Sequence, residues 1–575
     1  MSILIKTVRI AGFRGLENIE VELEQTTILT GMNNTGKTSF LKALQLALGN
    51  RQFVSQDDFF IQENSVSTEK IIIDLLIVPV NDDSSENFSE DWESLFTIDR
   101  IRDNNIPFRT IIAFNDITNS YKTEQFILQG WPEFKLDDIN WFDVENGKKT
   151  NFNFDEIPFF YMDAQRDILD DMKMRNSYLG KMLSNIKYSE EITSEIETQI
   201  KALNETATNS SDILSNIRET LKELDTAMDV QSEGIDITPF TKKVRDLNKG
   251  LTIYYADQKE SFPMENHGMG TRSWSSLLTL KAFISLLSNN FRESVFFPIL
   301  AIEEPEAHLH PNAQKRLYGQ IDSIAGQKII STHSPYIAAT AKLEQIRNFY
   351  KDESVTCGRI NIDNLTSEEI RKINRQVINT RGEIFFSKVI IFFEGETEEQ
   401  ALPIFAQKYF GKTSVEMGLD FVGVGGYKGY LPFLRFAEGL HIPWFILSDA
   451  ESNVIEWVKK HFENCNTSKN ISDVVVFLNE GNDFEQQLIC DDFGDEIKHA
   501  IASLDIYENE QHRLAKEPNR LIEIENFNKE RLYEVITNDK TKFAPIIAEQ
   551  IINSNKDLPP KIIDLFNKIA NILRI

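Results

Sequence analysis

The chain has 575 residues and a mass of 66.2 kDa, enough for about three to five domain-sized units. Lys plus Arg number 61 against 89 Asp plus Glu, a formal net charge of −28, which excludes nucleic-acid binding by bulk charge and requires local cations wherever phosphate is handled. Three cysteines (Cys357, Cys465, Cys490) with no CxxC pair exclude a disulfide framework and a thiolate zinc site, and fit a reducing cytosol.

In chain order, ILIKTVRIAGF and ENIEVELEQTTILTG predict two strands around the turn Arg14–Gly15, followed by a helix over SFLKALQLALG and a strand over KIIIDLLIVPV. Residues 81–160 are acidic and Asn-rich with strand-like pieces. Residues 165–232 hold no Pro and a single Gly, Gly180, with spaced Ile and Leu in a polar background. They predict a helical hairpin or insertion, a solvated arm or a dimerisation element. Alternating strand and helix return over 235–350, 351–385 reads as a linker, and a second α/β unit opens at Lys388. The last 75 residues are mostly helical, with Pro559–Pro560 opening a final short helix. MSILIKTVRIAGF lacks the long apolar core of a secretory signal, and no run of about 18 apolar residues marks a membrane span, so a cytoplasmic location is expected.

Chemistry concentrates in two constellations. Gly31-Met32-Asn33-Asn34-Thr35-Gly36-Lys37-Thr38 fits GxxxxGK[ST] between a strand and a helix. Its backbone N–H groups would surround phosphates at a helix N-terminus, Lys37 would pair with the β- and γ-phosphates, and Thr38 would hold Mg²⁺. Downstream, VFFPILAIEEPEAHLHP ends an apolar strand in Glu303 and Glu304, suited to a cation and to polarising water. The next strand, QKIISTHSP, ends at His333, within reach of a γ-phosphate.

The second constellation is acidic. KVIIFFEGETE presents Glu394 and Glu398, PWFILSDAE presents Asp449 and Glu451, and VVVFLNEGNDFEQQL presents Glu480, Asp483 and Glu485. Three strands ending in acids at one sheet edge gather like charges that divalent cations neutralise, and oxygen ligands select Mg²⁺ or Mn²⁺.

The first set resembles the ABC-type ATPase superfamily in its DNA-repair and chromosome-maintenance branch. The resemblance implies Glu303 as the Mg²⁺-side acid, Glu304 as catalytic base and His333 as switch histidine. It also implies a degenerate signature motif at His267–Ser273, with Gly268, Gly270 and Ser273 against a second nucleotide, a candidate Q-loop at Gln56, and a homodimer or higher oligomer. The second set resembles the Toprim fold, with Glu394 as the first-strand acid and Asp449-Ala450-Glu451 in place of DxD. In this order, NNTGKTS, IEEPEAHLHP, STHSP, FFEGETE, SDAE and NDFE resemble the overcoming-lysogenisation-defect (OLD) family of ATP-coupled nucleases. That family implies ATP at the head, and Mg²⁺ or Mn²⁺ on Glu394, Glu398, Asp449, Glu451, Asp483 and Glu485. It further implies a late lysine, here Lys542 with Lys540 as the alternative, DNA as substrate, and bacterial defence with or without a partner protein or nucleic-acid component.

The expected organisation is an α/β chain: head parts at 1–164 and 233–350, the insertion at 165–232, a linker at 351–385, and a Toprim domain with helical tail at 386–575. The competing readings are an ATP-gated sensor or structural protein with a silent Toprim unit, and a topoisomerase or primase. The latter lacks a recognisable nucleophilic tyrosine or polymerising site.

Overall fold

The computed structural model describes residues 3–49, 53–61, 68–80, 105–136, 141, 146–150, 152, 154, 157–174, 177–184, 189–215, 217, 254–256, 261–290, 296–362, 365–375, 382–505, 508 and 510–575. Much of the acidic stretch (81–104) and the end of the helical insertion (218–232) lie outside the described residues.

The N-terminal half holds two six-stranded sheets. The first contains β1 (Ile3–Phe13), β2 (Leu16–Glu22), β4 (Lys70–Pro79), β5 (Ile106–Asn115), β6 (Ser120–Leu128) and β7 (Asn146–Thr150), all antiparallel, in the order β2-β1-β4-β5-β6-β7. The second contains β3 (Thr26–Thr30), β8 (Phe159–Met162), β11 (Ile299–Glu303), β12 (Gln327–Ser331), β13 (Ile346–Lys351) and β14 (Val355–Gly358), in the order β14-β13-β3-β12-β11-β8. Between β8 and β11 lies a hairpin of β9 (Tyr254–Ala256) and β10 (Ser261–Pro263). β3, β12 and β11 are parallel neighbours, so the three segments that follow them emerge at one edge. TTILT, ILAIE and QKIIS are buried throughout, the apolar run expected of strands covered on both faces.

TTILT is thus a strand of its own in a different sheet from β1 and β2. The linker also differs from the sequence pattern: β14 pairs antiparallel with β13, so the head sheet runs on past residue 350. Four residues, VTCG, are too short to show a period.

The C-terminal sheet is wholly parallel: β15 (Val389–Phe393), β16 (Leu419–Gly423), β17 (Trp444–Ser448) and β18 (Val475–Phe477), in the order β16-β15-β17-β18. VIIFF in β15 is fully buried; each such side chain contributes about 1.5–3 kcal/mol.

The helices that matter for function are α1 (Lys37–Ala47), α2 (Ile168–Lys173), α3 (Tyr178–Ser184), α4 (Glu190–Asn209), α5 (Met269–Asn290), α6 (Glu396–Phe410), α7 (Tyr430–Gly439), α8 (Ser452–Asn464), α9 (Lys529–Thr537), α10 (Lys540–Asn553) and α11 (Pro560–Leu573). α2 to α4 fall in the predicted insertion. One apolar core runs from Ile28 and Ile302 of the head into Val389–Phe393 and the tail residues Ile547 and Phe566. Asn348 Nδ2 of β13 donates to Leu440 O just after α7, at 2.9 Å and buried, so head and C-terminal unit are joined by polar as well as apolar contacts. No helix among the described residues is long and apolar enough to cross a membrane.

Candidate functional site

At the head edge, the loop Gly31–Gly36 joins β3 to α1. Gly31 has φ 120°, and a Cβ there would stand 2.1 Å from Phe349 O, so only glycine lets the loop pass β13. Asn34 also takes a left-handed φ of 62°. Thr35 Oγ1 donates to Met32 O at 2.9 Å, and Lys37 Nζ donates to Gly31 O and Met32 O, both at 2.7 Å. Burial lowers the Lys37 pKa to about 8, against the pull of Glu304 and Glu306. Asn33 is exposed on the same loop, while Gln56 lies exposed in a short 3-10 turn.

Glu303 closes β11 and is 7% exposed. Burial raises its pKa, with Tyr161, Lys42 and Thr38 beside it opposing the rise. Its Oε1 and the Tyr161 hydroxyl are both buried without a hydrogen-bond partner among the described residues. Glu304 sits at φ +40°, a strained conformation for a residue with a side chain. His333 Nε2 lies 3.8 Å from Glu304 Oε1. Burial, aided by Lys37, lowers the His333 pKa to about 4, so the ring is neutral at pH 7 and the contact is no salt bridge.

Two residues here escaped sequence reasoning. Glu306 Oε1 accepts from Thr332 Oγ1 and from His333 N, both at 2.7 Å, which ties the histidine loop to the carboxylate loop. Arg166, 7% exposed, donates to five carbonyls: Pro305 at 2.7 Å, Glu303 at 3.2 Å, Asp163 and Ser273 at 3.3 Å, and Glu304 at 3.5 Å. The one guanidinium therefore joins the carboxylate loop to the first turn of α5. Asp167–Arg272 and Asp171–Ser276 add side-chain bonds between α2 with its cap and α5. The clue was the Asp163-Ala164-Gln165-Arg166-Asp167 run just after an apolar strand.

The His267–Ser273 segment leads into α5, with Met269–Ser273 in its first turn. Gly270 packs on the loop after Glu304, where a Cβ would stand 2.5 Å from His308 O, whereas Gly268 has open space beside it. Ser273 Oγ is buried and has no hydrogen-bond partner among the described residues.

At the second edge, β15, β17 and β18 are neighbours and end at Glu394, at Asp449 and before Glu480–Glu485. Ala450 N donates to Asn482 O and Gly481 N to Ala450 O, both at 2.9 Å, which locks the last two loops together. Ser448 Oγ donates to Glu394 Oε1 at 3.2 Å, Thr397 Oγ1 to Glu485 Oε1 at 2.6 Å, and Tyr533 Oη of α9 to Asp483 Oδ2 at 2.7 Å. Asp449 Oδ1 is buried and has no hydrogen-bond partner among the described residues. Burial, reinforced by Glu398, Glu394, Asp483 and Glu485, pushes the Asp449 pKa up to about 9. Burial together with neighbouring carboxylates likewise raises Glu394 and Glu398 to about 7. The all-oxygen, mutually repelling set has the chemistry of a hard-cation site. Among the described residues, no three His, Cys, Asp or Glu side chains form a ready cage. Glu394, Asp483 and Glu485 are each held by a hydrogen bond.

Lys540 Nζ reaches Glu485 Oε2 at 2.9 Å and Asp483 Oδ2 at 3.9 Å. Burial opposes its charge, but those carboxylates prevail and raise its pKa. Lys542 is exposed. The lysine facing the acids is therefore Lys540 and not the first choice from sequence: residues two apart on a helix point about 200° apart. Glu451 and Glu480 are exposed, and Glu451 stands at the N-cap of α8. Tyr533, 50 residues from Asp483, carried no sequence signal.

The family model described as "AAA ATPase domain" matches residues 4–338, and the one described as "Overcoming lysogenization defect protein-like, TOPRIM domain" matches residues 385–450. The chain is similar to the "Old nuclease" of Escherichia phage P2, at 22% identity over 84% of this chain and 83% of that protein. It is similar to "Endonuclease GajA" of Bacillus cereus (strain HuB5-5), at 22% identity over 93% and 91%. Among solved structures, the C-terminal region of the Burkholderia pseudomallei OLD protein matches 33% of this chain and 99% of its own, with 20% identity and a TM-score of 0.25.

Proposed function

The chain belongs to the OLD family, an AAA ATPase domain joined to an OLD-like Toprim domain, and on that premise we propose a divalent-metal-dependent DNA endonuclease under ATP control, acting in bacterial defence against phage. The observation that carries the reading is the run of neighbouring parallel strands followed by Glu394, by Asp449 and, one loop on, by Asp483–Glu485, with Asp449 Oδ1 buried and without a partner among the described residues. The relatives' names, nuclease and endonuclease, support it.

Glu394, Glu398, Asp449, Glu451, Asp483 and Glu485 would hold Mg²⁺ or Mn²⁺. Bound cations would supply activation of water and charge stabilisation at the leaving oxygen. Lys540 would neutralise charge at the phosphate, and Tyr533 and Thr397 would orient Asp483 and Glu485. At the head, Asn33–Thr38 would cradle ATP, Lys37 would turn to its phosphates, and Thr38 with Glu303 would hold Mg²⁺, a role that suits the unpartnered Glu303 Oε1. Glu304 would take the proton of the attacking water, and neutral His333 would donate to the γ-phosphate. Gly268 and Ser273 would serve the nucleotide of a second copy, which makes the working unit a homodimer.

One observation favours a second reading. Half of the six carboxylates are engaged in hydrogen bonds, as in an ATP-gated sensor or structural protein whose Toprim unit stays silent without a partner. Incubation with supercoiled DNA, with and without Mg²⁺, Mn²⁺, chelator and ATP, tests both. Cation-dependent cutting whose rate ATP changes supports the first reading, and no cutting by the chain alone in either cation, with or without ATP, supports the second. Cutting that survives chelation contradicts metal dependence.

A further inference from the structure

At a formal net charge of −28 the chain as a whole repels DNA, so its cations must be placed where the strand lies. Two elements beside the acid edge place them. The loop after β16 turns through Gly425 and Gly426, both at positive φ, and Gly426 N donates to Glu394 O at 3.0 Å. Lys428 follows two residues later. On the other side α8 starts from the Glu451 cap and carries Trp457 and Lys460.

The Trp457 ring serves both lysines. Lys428 Nζ stands 5.6 Å from its centroid and Lys460 Nζ 4.8 Å, with Lys428 also 5.4 Å from the Tyr427 ring. Among the described residues, no carboxylate lies within salt-bridge distance of Lys428 or Lys460, although Glu456 and Glu463 share the helix. A cation–π contact holds each ammonium over the ring. It offsets part of the rotamer entropy a lysine loses on being fixed. The indole therefore orders two unneutralised ammonium groups before anything binds.

We infer that Trp457, Lys428 and Lys460 form a phosphate clamp that holds the DNA backbone against the carboxylate edge. Trp457 lies six residues beyond Glu451, about 9 Å along the helix. At ~3.4 Å per nucleotide of one strand, the clamp grips phosphates roughly two to three nucleotides from the acids. The inference rests on the reading of that edge as a DNA-cutting site.

The test uses the full chain and a labelled DNA duplex, with Kd read by fluorescence anisotropy in Ca²⁺ from 50 to 200 mM salt, and with DNA cutting in Mg²⁺ and Mn²⁺ measured separately. Lys428→Ala and Lys460→Ala each weaken binding and lower the slope of log K against log salt by about 0.9, so that the wild type's advantage shrinks about 3.5-fold per lost contact across that range. Trp457→Ala weakens binding about three-fold with the slope kept, since no charge is lost, and Trp457→Phe restores most of the affinity. Melting temperature and ATP hydrolysis at wild-type values show that the variants fold. Unchanged Kd and slope in both lysine variants overturn the clamp, as does a wild type that binds no DNA at 50 mM salt. A wild type that binds with the predicted slopes yet cuts nothing in either cation overturns the nuclease reading and leaves the clamp standing.

Discussion

Arg166→Lys keeps the charge and most of the volume but not the fork. The guanidinium serves the carbonyls of Asp163, Ser273, Glu303, Glu304 and Pro305. An ammonium has three donors on a compact head, so two to four of those carbonyls lose their partner. At about 1–1.5 kcal/mol for each lost bond, the head loses roughly 2–6 kcal/mol. Part of this falls on Glu304, whose strained φ of +40° persists only while its surroundings impose it. A loss of about 1.4–2.7 kcal/mol of transition-state positioning lowers the ATP turnover rate roughly 10- to 100-fold. The phosphate loop is untouched, so ATP affinity holds. Steady-state ATP hydrolysis across ATP concentrations, with thermal melting in parallel, separates the two effects. A variant that melts within a degree of the wild type and turns over ATP within two-fold of its rate would refute the reasoning.

Lys37→Ala removes the cation that would meet the β- and γ-phosphates, and ATP binding by titration calorimetry falls at least ten-fold; unchanged binding contradicts the assignment of the loop. In metal-free protein, Asp449→Asn is more stable than the wild type by a margin that grows between pH 5 and pH 8. The sign follows from the raised pKa: the unfolded carboxyl ionises near pH 4 and the folded one near 9, so across that window the folded state holds the extra proton and stability falls as pH rises. Denaturant midpoints at three pH values check this, and a constant margin refutes it. Lys540→Ala lowers DNA cutting at least ten-fold while Lys542→Ala leaves it near wild type; equal effects contradict the geometry.

The parts of the site that follow strands were legible because strand pattern and motif coincide. TTILT before the phosphate loop, ILAIE before Glu304, and VIIFF and WFILS before Glu394 and Asp449 are short apolar runs that stop at a charge. What was not legible depends on approach in space. Arg166 reaches carbonyls of Ser273 and Glu303–Pro305 that carry no side-chain signature, and Tyr533 meets Asp483 from a helix no periodicity connects to it. The choice between Lys540 and Lys542 turns on the rotation of α10, which a single lysine-rich turn does not reveal. Glu306 was in view as a letter of EEPEAHLHP, but its role rests on two hydrogen bonds to the histidine loop.

The central claim is that one acid edge cuts DNA while a separate edge hydrolyses ATP. Glu394→Gln tested on supercoiled DNA with Mg²⁺ or Mn²⁺, alongside its ATP hydrolysis, addresses this most directly. The account predicts nicking lowered at least 100-fold with ATP turnover within two-fold of wild type. Nicking at the wild-type rate in Glu394→Gln would contradict it.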